Sequence, residues 1–170
     1  MTQSPTCILG LDPGLRHTGW GIIEVHGHKL RHIAHGTISP PSTLEFSKRL
    51  AYLFSHILDI CETYKPHTAA IESVFVNSNS ASTLKLSAAR GAVMVAPAHY
   101  GIEVAEYAAN RIKKTTVGQG HAGKTQMQDM IPYLLPKCGP LTPDSADALA
   151  VAICHSHYGL TLKAFERKIA

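Results

Sequence analysis

Four acidic residues stand where apolar core segments begin or end, and that placement limits the folds open to this chain. Asp12 closes the apolar run Cys7–Leu11 and opens an Asp-Pro-Gly turn. Glu72 closes a second run, Thr68–Ile71, while Asp144 and Asp147 lie three residues apart at the head of the apolar segment that ends at Cys154. The chain has only 12 acidic residues against 16 lysines and arginines, so a third of its acids sit at the ends of core elements. An isolated buried carboxylate is relieved by a cationic partner, a raised pKa or a bound metal. Four that converge would repel one another strongly, and a pair of divalent cations is the natural remedy. What the chain can do therefore turns on whether these ends meet.

The pattern between them is that of an α/β protein. Cys7–Leu11 reads as a strand closed by Asp12-Pro13-Gly14, with proline and glycine at turn positions. Trp20–Val25 and Leu30–Ile38 read as two more strands, separated at His26-Gly27-His28 and stopped by Pro40-Pro41, so the first three form an antiparallel meander. Leu50, Leu53, Phe54, Ile57, Leu58 and Cys61 recur at helical spacing within a helix over Leu44–Tyr64. Thr68–Ser73 is a fourth strand buried on both faces, Asn79–His99 a long helix rich in small residues with Leu84, Ala88, Gly91 and Val95 on one side, and Ile102–Ala105 a fifth strand. Helices over Thr125–Leu135 and Pro143–His157 follow, the latter with Thr142 as N-cap and proline at its first position. The expected architecture is a five-stranded mixed sheet, three antiparallel strands then two parallel, with helices on both faces. One domain over residues 1–158 is expected, followed by a basic C-terminal tail over 159–170.

Composition narrows the class. A net charge of +4, with 11 histidines beside it, is compatible with nucleic acid without demanding it. Cys7, Cys61, Cys138 and Cys154 form no Cys-x-x-Cys pair, and Cys7 and Cys154 lie in apolar runs and read as buried thiols. No apolar stretch reaches membrane-spanning length and the N-terminus carries no leader pattern, so a reduced, cytoplasmic setting without membrane contact is expected.

The acids can meet if the first and fourth strands are parallel neighbours, because their C-terminal ends then lie side by side where α/β sheets place ligands. Asp144 and Asp147, an (i, i+3) pair, can share a helix face at the positive end of its dipole. Each acid also has a plain structural explanation: first-turn acids cap helices, and Asp12 can bond its own turn. Glu72 has none, since a glutamate in Ala-Ala-Ile-Glu-Ser-Val-Phe neither caps nor turns.

The segments ILGLDPGLRHTGWGIIE, AAIESVF, LKLSAARGAV, EYAANRIKKTTVGQGHAGKTQMQ and DSADALAVAICHSH together resemble the RuvC family of bacterial Holliday-junction resolvases, in register from about Ile8 to Tyr158. The resemblance implies a ribonuclease H-like fold. It also implies a homodimer that binds four-way DNA junctions and nicks two strands of like polarity symmetrically, leaving 5′-phosphate and 3′-hydroxyl ends. Two Mg²⁺ ions per site are implied, with Mn²⁺ as a substitute, and RuvA and RuvB as branch-migration partners. Asp12, Glu72, Asp144 and Asp147 match the family's catalytic, metal-binding carboxylates. Phe75 matches an aromatic implicated at the junction crossover. Lys113 and Lys124 match basic residues near the DNA backbone, with Lys114 beside them as a further DNA contact. Ser78 departs from the family, many of whose members carry a cation there; Lys85 or Arg90 is a candidate substitute.

Rival readings are weaker on context. Gly118–Thr125 matches the phosphate-loop string G-x-x-x-x-G-K-[ST] completely, but that motif needs an apolar strand leading in, and here the lead-in is the basic Arg-Ile-Lys-Lys-Thr-Thr-Val. A basic glycine-rich loop contacting DNA phosphates fits better, and no nucleotide is expected. His155 and His157 are out of phase on a helix and make a poor zinc pair. A nucleotide-binding half of the actin and sugar-kinase type needs a second domain, a pure interaction module would not need four acids, and general ribonuclease H activity is the nearest enzymatic alternative.

Overall fold

In the computed structural model, described over residues 4–73, 80–118, 120 and 123–169 (backbone alone for Ser80, Lys124 and from 160 onward), the first three strands are a meander. They are β1 (Thr6–Asp12), β2 (Thr18–His26) and β3 (Lys29–Ile38), followed by α1 (Phe46–Tyr64), β4 (Thr68–Ser73), α2 (Ser80–His99) and β5 (Val104–Ala108). Three helices complete the chain: α3 (Ala109–Val117), α4 (Lys124–Leu134) and α5 (Pro143–Ile169). The sheet order is β3-β2-β1-β4-β5, antiparallel through the first three strands and parallel from β1 to β4 to β5. This is the expected five-stranded mixed sheet.

Side chains alternate between the two faces of a strand, and this sheet has a separate core on each. Leu9 and Leu11 of β1, Ile22 of β2 and Ala69 and Ile71 of β4 pack under α1 and α2 with Leu53, Ile57, Cys61, Ala89 and Val93. Ile8, Ile23, Val25 and Ala70 point the other way, beneath Leu149, Ala152 and Ile153 of α5 and Met127 and Ile131 of α4. β4 is buried on both faces because helices cover both.

Three expectations need correction, and one helix was not expected. The fifth strand is Val104–Ala108, not Ile102–Ala105: residues Tyr100 to Ile102 instead cap α2 through bonds to the Pro97 and Ala98 carbonyls, and parallel pairing from Ala69–Val104 to Ser73–Ala108 sets the register. The basic stretch after it is helix α3, closed by a left-handed Gly118 whose N–H donates to the Lys114 carbonyl. Its buried pair, Ile112 and Thr116, is only one turn long, which lysines and threonines conceal in the sequence. The last helix does not stop at His157 but continues to Ile169. Cys154 is buried as expected, whereas Cys7, at the mouth of β1, is only half-buried.

Candidate active site

β1 and β4 run parallel with Leu11 level with Ile71, so the next residues, Asp12 and Glu72, stand side by side on strands about 5 Å apart. Asp12 shares the face of Ile8 and Gly10, and Glu72 that of Ala70. Both faces are the α5 face. Alternation alone therefore turns the two acids toward the helix that carries the other two.

Glycines fix where that helix lies. A Cβ on Gly10 would strike the Ala148 carbonyl and, at 2.7 Å, the Ala152 nitrogen; one on Gly21 would meet Leu149 Cδ2 at 2.6 Å. A Cβ on Gly19 would collide with the backbone of Asp144. Gly19 is the cross-strand partner of Asp12, so the first turn of α5 rests one strand away from Asp12, on the same face. Asp147, 9% exposed, precedes the residue that crosses Gly10. Glycine is required at Gly10 and Gly19 because helix backbone lies directly on strand backbone, while at Gly21 the Leu149 side chain fills the space.

Local chemistry sets the helix start. Thr142 Oγ1 accepts the Ser145 N–H at 3.1 Å, and Ser145 Oγ accepts the Thr142 N–H at 3.0 Å, a reciprocal cap that terminates the helix just before Asp144. Thr142 Oγ1 also meets Thr37 Oγ1 of β3 at 2.7 Å, tying the cap to the sheet. On the other flank Arg90 of α2 donates from Nε to the Glu72 carbonyl at 3.4 Å and pairs with Glu106 of β5. Arg90 thus holds the strand end that carries Glu72. The sequence marked it only as a stand-in for the cation missing at Ser78; its partners lie on two strands that no local pattern links to it.

The connection from β1 to β2, residues 13–17, is a braced loop. Thr18 Oγ1 donates to the Gly14 carbonyl at 2.7 Å and accepts the Gly14 N–H at 3.2 Å, while a Cβ at Gly14 would run into the His17 carbonyl. Arg16 and His17 are exposed on it.

The donor set, four carboxylates and no soft ligand, fits a hard divalent cation. Among the described residues no group of three or more His, Cys, Asp or Glu side chains is closed to ion-holding distance. The backbones bring Asp12, Glu72 and the start of α5 to one end of the sheet. His155 is a core histidine, bonded by Nε2 to Thr68 Oγ1 and by Nδ1 to Tyr107 Oη, both at 2.9 Å, whereas His157 is exposed.

The remaining expected residues do not all fall beside the acids. Lys113 is half-buried and Lys114 exposed on α3. That helix meets α5 where Thr115 Oγ1 approaches Cys154 Sγ, ten residues or roughly 15 Å along from Asp144. Phe75 and Ser78 lie outside the described residues, as does the side chain of Lys124. The glycine-rich loop is entered from helix α3 rather than from a strand, so the setting a nucleotide phosphate loop requires is not present.

The family model described as crossover junction endodeoxyribonuclease RuvC matches residues 8–155. The chain is 51% identical over 166 residues to the crossover junction endodeoxyribonuclease RuvC of Caulobacter vibrioides, covering 98% of this chain and 96% of that protein. It is 54% identical over 151 residues to the protein of that description from Xanthobacter autotrophicus, covering 89% of each. Among solved structures it resembles Thermus thermophilus RuvC in complex with Holliday junction substrate, with a TM-score of 0.83 and 29% identity over 91% of this chain and 94% of that one.

Proposed function

The chain belongs to the RuvC family of crossover junction endodeoxyribonucleases, and from that membership we propose that it resolves four-way DNA junctions, nicking two strands of like polarity symmetrically and leaving 5′-phosphate and 3′-hydroxyl ends. The observation that carries the reading is the shared face: Asp12 and Glu72 point toward α5, and the first turn of α5 rests on Gly19 beside Asp12.

Asp12, Glu72, Asp144 and Asp147 are the residues that would hold divalent cations, two Mg²⁺ per site in this reading, with Mn²⁺ able to substitute. Bound there, such ions supply Lewis acidity, an activated water and charge to offset the phosphorane-like transition state and the leaving alkoxide. The chain's own part is positioning. Asp12, between Glu72 on one side and the helix start on the other, would be the central carboxylate of that set. Asp144 and Asp147 present two carboxylates one helical turn apart, and the strand ends supply the other two. Lys113, Lys114 and Lys124 would contact DNA phosphates, and Phe75 would stack on bases at the crossover.

Two strands cut in step call for two sites, hence a homodimer. Leu84 and Val95 on α2 are 70% and 55% exposed, and a Cβ at Gly91 would meet nothing within 4 Å. With Ala88 these residues form an apolar stripe open for a second copy. RuvA and RuvB are the expected branch-migration partners, and the cytoplasm is the expected setting. No helix of the described residues is long and apolar enough to cross a membrane.

The test is a synthetic four-way junction offered beside a linear duplex of the same sequence, with and without Mg²⁺. Paired symmetric nicks in the junction alone, dependent on the cation, are expected. Equal cutting of the duplex, or cutting only of RNA–DNA hybrids, would replace this reading with general ribonuclease H-type activity.

A further inference from the structure

Beside Asp144 opens a cleft of about 550 Å³ lined by Gly14, Leu15, Arg16, His17, Arg49 and Lys85, with Ser82 and Leu86 completing the wall. A second hollow lined by Arg16, His17, Arg49, Ser39, Pro40 and Ser42 shares three of those residues, so the two form one groove leading away from the acids. Its charge is lopsided: Arg16, Arg49 and Lys85 against Asp144 at one end. Among the described residues none of the three cations is in a salt bridge.

Arg49 is the most telling of them. Its Nη2 donates to the Leu15 carbonyl at 2.8 Å, which orients the guanidinium, yet its Nε is buried and has no hydrogen-bond partner among the described residues. A partly desolvated guanidinium outside any salt bridge is costly, and an anion in the groove relieves it. Arg16 and His17 ride on the loop braced by Thr18, with His17 Nδ1 held by Ser39 Oγ at 2.8 Å, so the cationic wall is set before any ligand arrives.

We infer that the groove formed by Arg16, His17, Arg49 and Lys85 seats phosphates of the cleaved DNA strand adjoining the scissile one. The inference rests on the nuclease reading, since a strand whose scissile phosphate lies at the acids must leave them through its neighbouring phosphates. This groove is a cationic way out that opens at Asp144. A chain of phosphates matches cations spread along a groove better than a single free phosphate does, and Leu15 and Leu86 offer apolar wall to a sugar or base edge. Phosphate contacts of this kind fix register without reading sequence.

The experiment measures junction affinity against salt for the wild type and for Arg16→Ala/Lys85→Ala, using junctions with neutral methylphosphonate linkages placed singly on either side of the scissile phosphate. Both residues are exposed, so the variant should melt as the wild type does; if it melts lower, Arg16→Gln and Lys85→Gln taken singly carry the test. The variant should bind roughly tenfold more weakly near 0.1 M salt, with the slope of log affinity against log salt shallower by about one to two. A neutral linkage at the contacted phosphate should weaken the wild type and leave the variant nearly unaffected. An unchanged slope together with the same neutral-linkage penalty in both proteins would overturn the inference. Wild type that binds the junction but never cuts it would sink the nuclease reading while these binding arms still decide the groove; wild type that does not bind DNA would sink both.

Discussion

A methyl group on Gly19 would run into the backbone of Asp144, so β2 and the start of α5 must move apart. Gly19→Ala should therefore lower junction cleavage by at least tenfold, since a shift of about 1 Å in a catalytic group costs up to 10²-fold. The accompanying loss of stability should be about 1–3 kcal/mol, the usual cost of overpacking. Urea unfolding beside single-turnover cleavage separates the two effects. Serine at Gly27, where a Cβ meets nothing, isolates the ordinary cost of filling a positive-φ glycine. The placement of the acids could be read from the sequence because each ends or begins an apolar run, and Glu72 neither caps nor turns. The glycines could not be read as supports, since nothing local shows that a helix more than a hundred residues later lies on Gly10, Gly19 and Gly21. Arg90 escaped for the same reason.

Among the elements, α2 makes the sharpest forecast. Its stripe of Leu84, Ala88, Gly91 and Val95 was visible as a helical face, but the core it was free to join is filled instead by Ala89, Val93 and Ala96. Gly91→Arg should leave the melting temperature of the fold within about 2 °C and convert a dimer to a monomer in analytical ultracentrifugation. If the wild type sediments as the proposed dimer and the variant does so too, the interface lies elsewhere. The cap of α5 yields a second: Thr142→Ala removes the acceptor for Ser145 N–H and should cost about 1 kcal/mol in urea unfolding. Near that cap β3 is pinned by a chain from His32 Nε2 to His35 Nδ1 at 2.8 Å and from His35 Nε2 to the Pro140 carbonyl at 2.9 Å. Burial, and then the charge of His35, push the His32 pKa below the ordinary value. A depressed folded pKa means that this contribution is complete above the usual histidine range and is lost as pH falls through the folded value. The wild type should consequently lose about 1–2 °C more of melting temperature than His32→Gln between pH 7 and pH 5. Equal losses would show that the pair does not matter. Strand β5 and helix α3 were the elements poorly read, because parallel pairing with β4 and a single buried turn, rather than propensity, decide them.

Taken as a whole, the molecule is one sheet between two helical layers, and three of its thiols report on both. Cys61 in one layer, pushed up to about 11 by burial, and Cys154 in the other, also raised by burial, should resist a thiol reagent at pH 8 in the native protein, whereas half-buried Cys7 should react slowly. The sheet was readable in advance because apolar runs, proline stops and helical periodicity agreed with one another at each step; the groove along Arg16, Arg49 and Lys85 was not, since its walls come from three separated stretches of chain. Cleavage by this molecule, as proposed, requires the acids of β1, β4 and α5 to act as one site. The measurement that bears on it most directly is single-turnover cleavage of one four-way junction by the wild type and by Asp12→Asn, Glu72→Gln, Asp144→Asn and Asp147→Asn, with junction affinity measured alongside. All four variants should cut at least 100-fold more slowly while binding within about twofold of the wild type or slightly tighter, as negative charge facing the phosphates is removed. A variant of Asp12 or Glu72 that cuts at the wild-type rate would contradict it.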